Sequence, residues 1–289
     1  MKNSRPFAKR FSRTFSATKI IAALAILFCS LAVPAQAKEP KKVLVVTVTV
    51  GFPHSSVPTA ERVLTELGKS SGAFTVVDIV HSGPRPKDEG EAKIWLEKLT
   101  RGLADKMSAT ALKNYDGIIF ANTTGDLPLP DKEAFLNWIK SGKAFIGMHS
   151  ATDTFRGHTP LDSYTDMIGA EFKTHGAQVE VTCLNQDPKH PACKNFGPTF
   201  TVKDEIYIMN GFERAKVHGL LGLDKHPNTG EAGDYPVAWS KKYGKGNVFY
   251  TSLGHREDVW ESQSYQKHIL GGIKWALGME KGDAKPQTK

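Results

Sequence analysis

The first half of the chain alternates short apolar runs with longer segments of helical periodicity. The apolar runs are rich in β-branched residues and lack polar alternation, which is typical of parallel strands buried on both faces. The segments between them space apolar residues three or four positions apart, as amphipathic helices do. This order predicts a parallel sheet with right-handed crossovers and helices on both faces, a three-layer α/β sandwich. The predicted strands cover residues 43–50, 74–80, 115–121 and 144–148.

The second half of the chain is less regular. A short helix is predicted at 163–170 and strands at 178–184 and 200–209, while the segment 211–233 receives no assignment. Two apolar runs flank the turn Tyr243-Gly244-Lys245-Gly246, which predicts a C-terminal β-hairpin. A final amphipathic helix spans about 263–277, and a polar tail covers 281–289. We therefore expect a single α/β domain over residues 38–280.

The N-terminal residues have their own composition. Six Lys and Arg without any carboxylate precede an apolar run at 20–33, and Ala35-Gln36-Ala37 follows it. A basic segment, an apolar run and a small-x-small site are the three parts of a secretory signal peptide. The apolar run is too short for a stable membrane-spanning helix. We predict a signal peptide over residues 1–37 with cleavage after Ala37. The chain would then be periplasmic or secreted, with no membrane attachment.

Removing this leader changes the charge balance. The full chain has 38 Lys and Arg against 30 Asp and Glu, and 32 against 30 remain after cleavage. The mature chain has no basic stripe of the kind that binds nucleic acid, so no nucleic-acid partner is expected. The loop after the first strand matches neither the dinucleotide nor the phosphate-loop fingerprint, and no nucleotide cofactor is expected.

The mature chain keeps two cysteines, Cys183 and Cys193. Two thiols in an oxidising compartment, separated by a short Pro-containing loop, favour a disulfide. Such a bridge would stabilise the fold by about 2–3 kcal/mol. The alternative is a pair of free buried thiols. Neither cysteine follows a predicted strand, so neither is a candidate nucleophile.

Polar side chains follow several of the predicted strands. They are His54 after the first strand, Thr124 and Asp126 after the third, His149 and Asp153 after the fourth, and His255 and Glu257 after the hairpin. Because ligands of open α/β sheets bind at the carboxyl ends of the strands, we expect these side chains to share one crevice. Taken alone, His149 has a second interpretation, in which it caps a turn after a core strand.

Longer motifs surround these residues. They include Gly51-Phe52-Pro53-His54-Ser55, Thr123-Thr124-Gly125-Asp126, Gly147-Met148-His149-Ser150-Ala151-Thr152-Asp153, Asp204-Glu205-Ile206-Tyr207, Tyr235-Pro236-Val237-Ala238-Trp239 and Ser252-Leu253-Gly254-His255. Together they resemble the ThuA-like (trehalose-utilisation) family over most of the mature chain. The resemblance implies the class I glutamine amidotransferase-like fold, which is flavodoxin-like with a mostly parallel central sheet.

Two positions differ in chemistry from the amidotransferases. The segment Gly147-Met148-His149-Ser150-Ala151 is similar to their nucleophile elbow, with His149 where the cysteine would be. The pair His255 and Glu257 is similar to their catalytic His-x-Glu. A neutral imidazole cannot form the thioester that glutamine hydrolysis needs. No amidotransferase activity is therefore expected.

The resemblance implies a role in the metabolism of trehalose, related disaccharides or keto-glycosides. One interpretation is a sugar-processing enzyme of hydrolase or lyase type, with four catalytic candidates: His149, His255, Glu257 and Asp153. A divalent metal such as Zn or Mn could assist, held by His54, His149, His175 and His255, with the carboxylates of Asp153, Glu205 and Glu257 nearby in the motifs. Without a metal, Glu257 would orient His255 as a general base. The second interpretation is a non-catalytic exported protein that binds carbohydrate.

Five residues are candidates for contact with the sugar: His54, Thr124, Asp126, Tyr164 and Trp239. Tyr164 and Trp239 could stack on a sugar face, although a core position is the alternative for Trp239. Glu205 belongs to the motifs, and its plainer interpretation is an ordinary strand carboxylate. The final helix and the segment 211–233 could line the site or pack against a second copy in a homo-oligomer.

Overall fold

The computed structural model of the protein describes residues 39–287, so the predicted signal peptide lies outside the described part of the chain. Its strands are β1 (Lys41–Thr47), β2 (Phe74–His81), β3 (Gly117–Ala121), β4 (Ala144–Met148), β5 (Glu171–His175), β6 (Val179–Asn185), β7 (Thr199–Asp204), β8 (Tyr207–Asn210), β9 (His218–Lys225), β10 (Ala232–Tyr243) and β11 (Gly246–Thr251). Its helices are α1 (Val57–Ser71), α2 (Glu89–Met107), α3 (Lys132–Lys140), α4 (Ser163–Ile168), α5 (Glu257–Glu261) and α6 (Gln263–Ala276). None of these helices is long and apolar enough to cross a bilayer.

Nine of these strands form one mixed sheet in the order β2-β1-β3-β4-β11-β10-β9-β6-β7. The pairs from β2 to β11 are parallel, and those from β11 to β7 are antiparallel. The predicted α/β fold is confirmed, and so is the hairpin of β10 and β11. Because β1, β3, β4 and β11 are parallel neighbours, their carboxyl ends lie side by side at one edge of the sheet.

Helices cover the parallel half of the sheet on both faces. Alternate residues of β1 point to opposite faces, as the strand period of two requires. Val43 and Val45 pack into the layer that contains α1 and α6. Leu44 and Val46 pack into the layer that contains α2 and α3. All four side chains are fully buried, which explains why the run has no polar alternation.

One predicted strand is divided in the structure. The segment predicted as a strand at 200–209 forms β7 and β8 instead, with a break after Asp204. The Asp204 carboxylate accepts hydrogen bonds from the main-chain N–H of Glu205 at 2.9 Å and of Gly254 at 2.7 Å. These bonds turn the chain, and β8 leaves the large sheet to pair with β5. The unassigned segment 211–233 contains β9, which joins the antiparallel half.

The polar segment after α6 packs against the domain as far as residue 287. Trp275 Nε1 donates to the Gly282 carbonyl at 3.1 Å, and Ser240 Oγ donates to the Asp283 carbonyl at 3.0 Å. His218 Nδ1 donates to the Lys285 carbonyl at 2.9 Å. The tail predicted from composition is therefore a docked strap over β9, β10 and α6.

Cys183 and Cys193 are free thiols in the structure, which corrects the predicted disulfide. Both side chains are buried in the apolar layer of α6. The Cys193 thiol donates to the Leu220 carbonyl at 3.6 Å rather than bonding to Cys183. Burial raises the pKa of each thiol to about 12, so both remain protonated. The structure agrees with the alternative of two free buried thiols.

Candidate functional site

The site is built around His149, which follows β4 in a sharp turn. Its φ angle is +50°, a left-handed conformation that is uncommon for residues other than glycine. The chain then continues as a 3₁₀ turn over His149–Asp153. Gly147 makes the approach to this turn feasible, because an added Cβ would lie 3.0 Å from Ile168 and Tyr250 side-chain atoms. The turn is the strained strand-to-helix elbow that the sequence predicts, with a fully buried imidazole at its tip.

The tautomer of His149 follows from one main-chain contact. Its Nδ1 lies 2.9 Å from the Ser252 carbonyl oxygen, which can only accept a hydrogen bond. Nδ1 must therefore carry the proton, and the neutral ring presents a lone pair at Nε2. Burial is the main reason that the pKa of His149 lies well below its usual value, and the neighbouring His54 lowers it further.

Three polar groups converge on His149 Nε2. The Tyr207 hydroxyl lies at 3.0 Å, His54 Nε2 at 3.1 Å and His255 Nδ1 at 3.2 Å. An imidazole nitrogen has one in-plane lone pair, so it cannot accept three good hydrogen bonds. A cation between the rings would resolve this crowding, because each imidazole could direct its own lone pair at the ion.

Glu205 adds a carboxylate to these imidazoles. Its Oε1 lies 3.3 Å from His255 Nδ1 and 3.8 Å from His149 Nε2. The neighbouring Asp204 carboxylate accepts hydrogen bonds from the N–H groups of Glu205 and Gly254. It therefore holds Glu205 next to the loop that carries His255. Burial of Asp204 raises its pKa to about 6 despite those two bonds.

The four groups have the separations of a metal-binding set. One ligand atom from each of His54, His149, Glu205 and His255 can be chosen so that all lie within 4.8 Å of one another. Tetrahedral coordination with bonds of about 2.0–2.1 Å places ligand atoms about 3.3–3.4 Å apart. The measured 3.1, 3.2, 3.3 and 3.8 Å contacts span that value. We call this group the His₃Glu cluster.

Protonation states in the His₃Glu cluster also suit a cation. Burial, with a smaller contribution from His255, lowers the pKa of His54 to about 4. His54 and His149 are thus neutral near pH 7, as metal-ligating imidazoles must be. His255 differs because its hydrogen bond to Glu205 raises its pKa. A bound cation would compete with the proton that this pair otherwise holds.

The structure brings together three of the four predicted metal ligands. His175 is the exception: its half-exposed ring contacts the Gly176 carbonyl at 2.9 Å and Glu205 Oε2 at 3.3 Å. It lies outside the His₃Glu cluster, whose fourth member is Glu205. From the sequence, Glu205 is only one of three carboxylates near the four histidines, because an acidic pair in a strand pattern has a plainer interpretation as an ordinary strand carboxylate.

The predicted pairing of His255 with Glu257 is not the one that forms. Glu257 is the first residue of α5, and its carboxylate bonds to a residue other than His255. Its carboxylate accepts from Ser55 Oγ at 2.5 Å, and this bond is the main reason that its pKa is lowered. Glu205 takes the place beside His255 that the sequence assigned to Glu257.

The two predicted stacking aromatics are core residues. Tyr164 and Trp239 are fully buried. Tyr164 donates to the Ala151 carbonyl at 2.9 Å, and Trp239 Nε1 donates to the Ile168 carbonyl at 2.8 Å. Neither ring can reach a sugar, so the stacking prediction is wrong and the core alternative for Trp239 is correct.

The remaining candidates line or support the rim of the site. Thr124 is buried, and its hydroxyl donates to the Phe52 carbonyl at 3.0 Å, so it holds the His54 loop rather than a ligand. Asp126 is exposed and contacts His158 Nε2 at 3.0 Å. Asp153 forms an ion pair with Arg156, and burial raises the pKa of this carboxyl to about 6.

Comparisons with known proteins agree on the fold. A family model described as ThuA, trehalose utilisation, matches residues 42–276. The chain is similar to a ThuA-like protein from Parabacteroides merdae at 20% identity and a TM-score of 0.64, covering 86% of this chain and 92% of that one. It is also similar to a ThuA-like protein from Bacteroides uniformis at 19% identity and a TM-score of 0.61, covering 84% and 94%.

A more distant similarity is to a β-galactosidase from Bacillus circulans sp. alkalophilus. The TM-score is 0.50 at 12% identity, and the match covers 86% of this chain but 32% of that enzyme. No curated protein matches the sequence significantly. At these identities the solved structures bear on the fold alone.

Proposed function

Because the chain belongs to the ThuA family, described as trehalose utilisation, we propose that it is a metal-dependent enzyme that cleaves a disaccharide or keto-glycoside. The observation that carries the proposal is the His₃Glu cluster, in which three imidazoles converge and His149 presents its lone pair inward. A divalent cation there would polarise a substrate oxygen or activate a water molecule. Family membership supports the carbohydrate part, and the cluster supports the metal part.

The donor set bears on the choice of metal. Three imidazoles and one carboxylate suit Zn, Mn or another first-row ion. Four protein ligands would close a tetrahedral zinc site, whereas catalysis needs a position open to substrate. The proposal therefore requires zinc with a fifth ligand, or an ion such as Mn that takes six. His255 is the partly exposed member, with 21% of its side chain accessible, so substrate would approach from its side.

Tyr207 has a role beside the proposed ion. Its hydroxyl contacts His149 Nε2, and burial raises its pKa well above the usual value for a phenol. The hydroxyl therefore stays protonated at any physiological pH. If His149 held a cation through this lone pair, the Tyr207 O–H would be free to donate a hydrogen bond to a substrate oxygen. Tyr207 would thus orient the sugar and stabilise charge on the oxygen at the broken bond.

Metal analysis of the untagged mature protein, purified without chelators, tests this proposal. We expect about one equivalent of Zn or Mn per chain in the wild type, and loss of that metal in His149→Ala. His226→Ala is the matched control, because it removes a partly exposed imidazole that contacts no residue of the cluster, and it should retain the metal. A wild-type chain that holds no metal and takes up neither Zn nor Mn on reconstitution would overturn the proposal.

A second assay separates catalysis from binding. Turnover of keto-disaccharides should depend on the metal and should vanish in His149→Ala while the protein remains folded. Binding of sugars by a metal-loaded protein that shows no turnover on any of them would instead favour the carbohydrate-binding alternative.

We also propose that the protein works outside the cytoplasm. The support is the composition of residues 1–37, in which a basic segment, an apolar run and Ala35-Gln36-Ala37 occur in the order of a signal peptide. N-terminal sequencing of the protein recovered from the periplasm or medium should begin at Lys38. A chain that starts at Met1 and stays in the cytoplasm would contradict export.

A further inference from the structure

A surface groove lies beside the His₃Glu cluster. It is a groove of about 350 Å³ whose lining includes Phe52, Asp126, Asp153 and Arg156. Its volume falls in the range of roughly 300–1,000 Å³ that small-molecule sites occupy. Three glycines complete the lining: Gly51, Gly125 and Gly157.

Side-chain contacts connect both walls of the groove with residues of the His₃Glu cluster. On one side the Phe52 ring meets the His54 ring edge to face, with centroids 5.1 Å apart. On the other side the Arg156 guanidinium lies over the Phe172 ring at 5.0 Å. Phe172 in turn packs on Tyr207 at 4.3 Å, and Tyr207 contacts His149. On the Phe52 side, a molecule in the groove would therefore be separated from His54 by one aromatic ring.

Phe52 is exposed but held in place. About 64% of its surface is accessible, although an aromatic ring of this size is usually buried. Its carbonyl accepts a hydrogen bond from Thr124 Oγ1 at 3.0 Å. The preceding Gly51 is fixed by its N–H bond to the Thr124 carbonyl at 3.3 Å. The loop therefore presents a flat apolar face to solvent at a defined position.

The charged groups of the groove are balanced. Arg156 forms an ion pair with Asp153, and His158 lies 3.0 Å from Asp126. No cation that contributes to the lining is left without a carboxylate, so the groove suits an uncharged ligand better than a phosphorylated one. Each pair offers a donor and an acceptor side by side, which is the arrangement that neighbouring hydroxyl groups on a sugar ring can satisfy.

We propose that this groove binds the second pyranose ring of an uncharged disaccharide, with its apolar face on Phe52 and its hydroxyls on the Asp126 and Asp153–Arg156 groups. The proposal rests on the proposed function, since the first ring would occupy the His₃Glu cluster. It makes Phe52 a specificity residue that distinguishes two-ring from one-ring sugars.

Calorimetric titration of the metal-loaded protein with trehalose, maltose and sucrose, and with glucose as the one-ring control, tests the inference. We expect the tightest disaccharide to bind at least about tenfold more weakly to Phe52→Ala, while glucose binding changes little. Phe52→Trp should restore the affinity because it keeps an aromatic face. Ile94→Ala is the matched control, since Ile94 is equally exposed (66%) but lies on α2.

The outcomes separate this inference from the proposed function. Unchanged disaccharide affinity in Phe52→Ala, or equal losses in Ile94→Ala, would overturn the groove. A wild-type protein that holds its metal but binds glucose as tightly as every disaccharide would also overturn it, and would leave the metal site intact. Failure of the metal analysis counts against the proposed function instead, and the same Phe52 comparison is then made on the protein as purified.

Discussion

Glu205 is the carboxylate that contacts three imidazoles of the site. Its carboxylate contacts His149, His175 and His255 at 3.8, 3.3 and 3.3 Å. It is nearly buried, with 9% of its side chain exposed, so little solvent screens these contacts. In the proposed metal site it supplies the one negative charge that offsets the charge of the ion.

Exchanging this carboxylate for an amide should therefore weaken metal binding. Loss of a group that only supports a ligand already reduces metal affinity by about 10–100-fold. We expect Glu205→Gln, which alters a ligand itself, to reduce Zn affinity by at least about 100-fold in a competition titration with a chelator. Glu257→Gln is the control and should bind Zn as the wild type does. The reverse ranking would restore the His255–Glu257 pair that the sequence suggested.

The residues of the site were not equally predictable. His54, His149 and His255 follow strands, so their convergence could be predicted from the rule that parallel strands end at one edge. Glu205 escaped that rule because it occupies the break between β7 and β8. That break is caused by the bond from Asp204 to Gly254, which is 50 positions away in the chain. A contact between residues so far apart does not affect the local pattern of apolar and polar residues, so the break could not be predicted from that pattern.

Among the elements, α6 carries a titratable group in the core. His268 is fully buried, and its Nδ1 donates to the Ala192 carbonyl at 2.8 Å. Burial lowers its pKa to about 4, whereas the value in the unfolded chain is near 6.5. As the pH falls below 6.5, the unfolded chain binds this proton first. The free energy of unfolding therefore decreases between pH 6.5 and 4, and His268 accounts for up to about 3 kcal/mol of the loss.

His268→Asn isolates this contribution. The amide N–H can still bond to the Ala192 carbonyl, but it does not titrate. Urea unfolding at a series of pH values should show a shallower loss of stability below pH 6.5 in the variant, by up to one proton. Parallel curves for the two proteins would show that His268 is not buried in its neutral form.

Elements of the antiparallel half were harder to predict than those of the parallel half. β1 reads as a strand from composition alone because both of its faces are buried. β9 lies in a segment with Gly219 and Gly222, and glycines weaken a local strand signal. It is stabilised by pairing with β10, the next strand along the chain, and with β6, which lies further away in the sequence. Tyr164 and Trp239 show the same limit, since local sequence cannot say which face of an element is buried.

At the scale of the whole molecule, the C-terminal strap closes the antiparallel half. Ending the chain after Glu280 would remove its bonds to Ser240, Trp275 and His218. Three buried or partly buried hydrogen bonds correspond to about 2–4 kcal/mol. We expect the truncated protein to melt roughly 5–15 °C lower in a thermal scan. Its metal content should be unchanged, because the strap contacts none of the four cluster residues. An unchanged melting temperature would show that the strap is peripheral to the fold.

The carbonyl that fixes the tautomer of His149 belongs to the main chain of Ser252. Every amino acid has such a carbonyl, so no substitution at position 252 can delete it. The direction of the His149 lone pair therefore depends on the pairing of β11 with β4, which positions this carbonyl, and not on the side chain of residue 252. Side chains around the elbow can change while the position of this proton stays the same. Only a change that displaces the strand itself would alter the tautomer through this carbonyl.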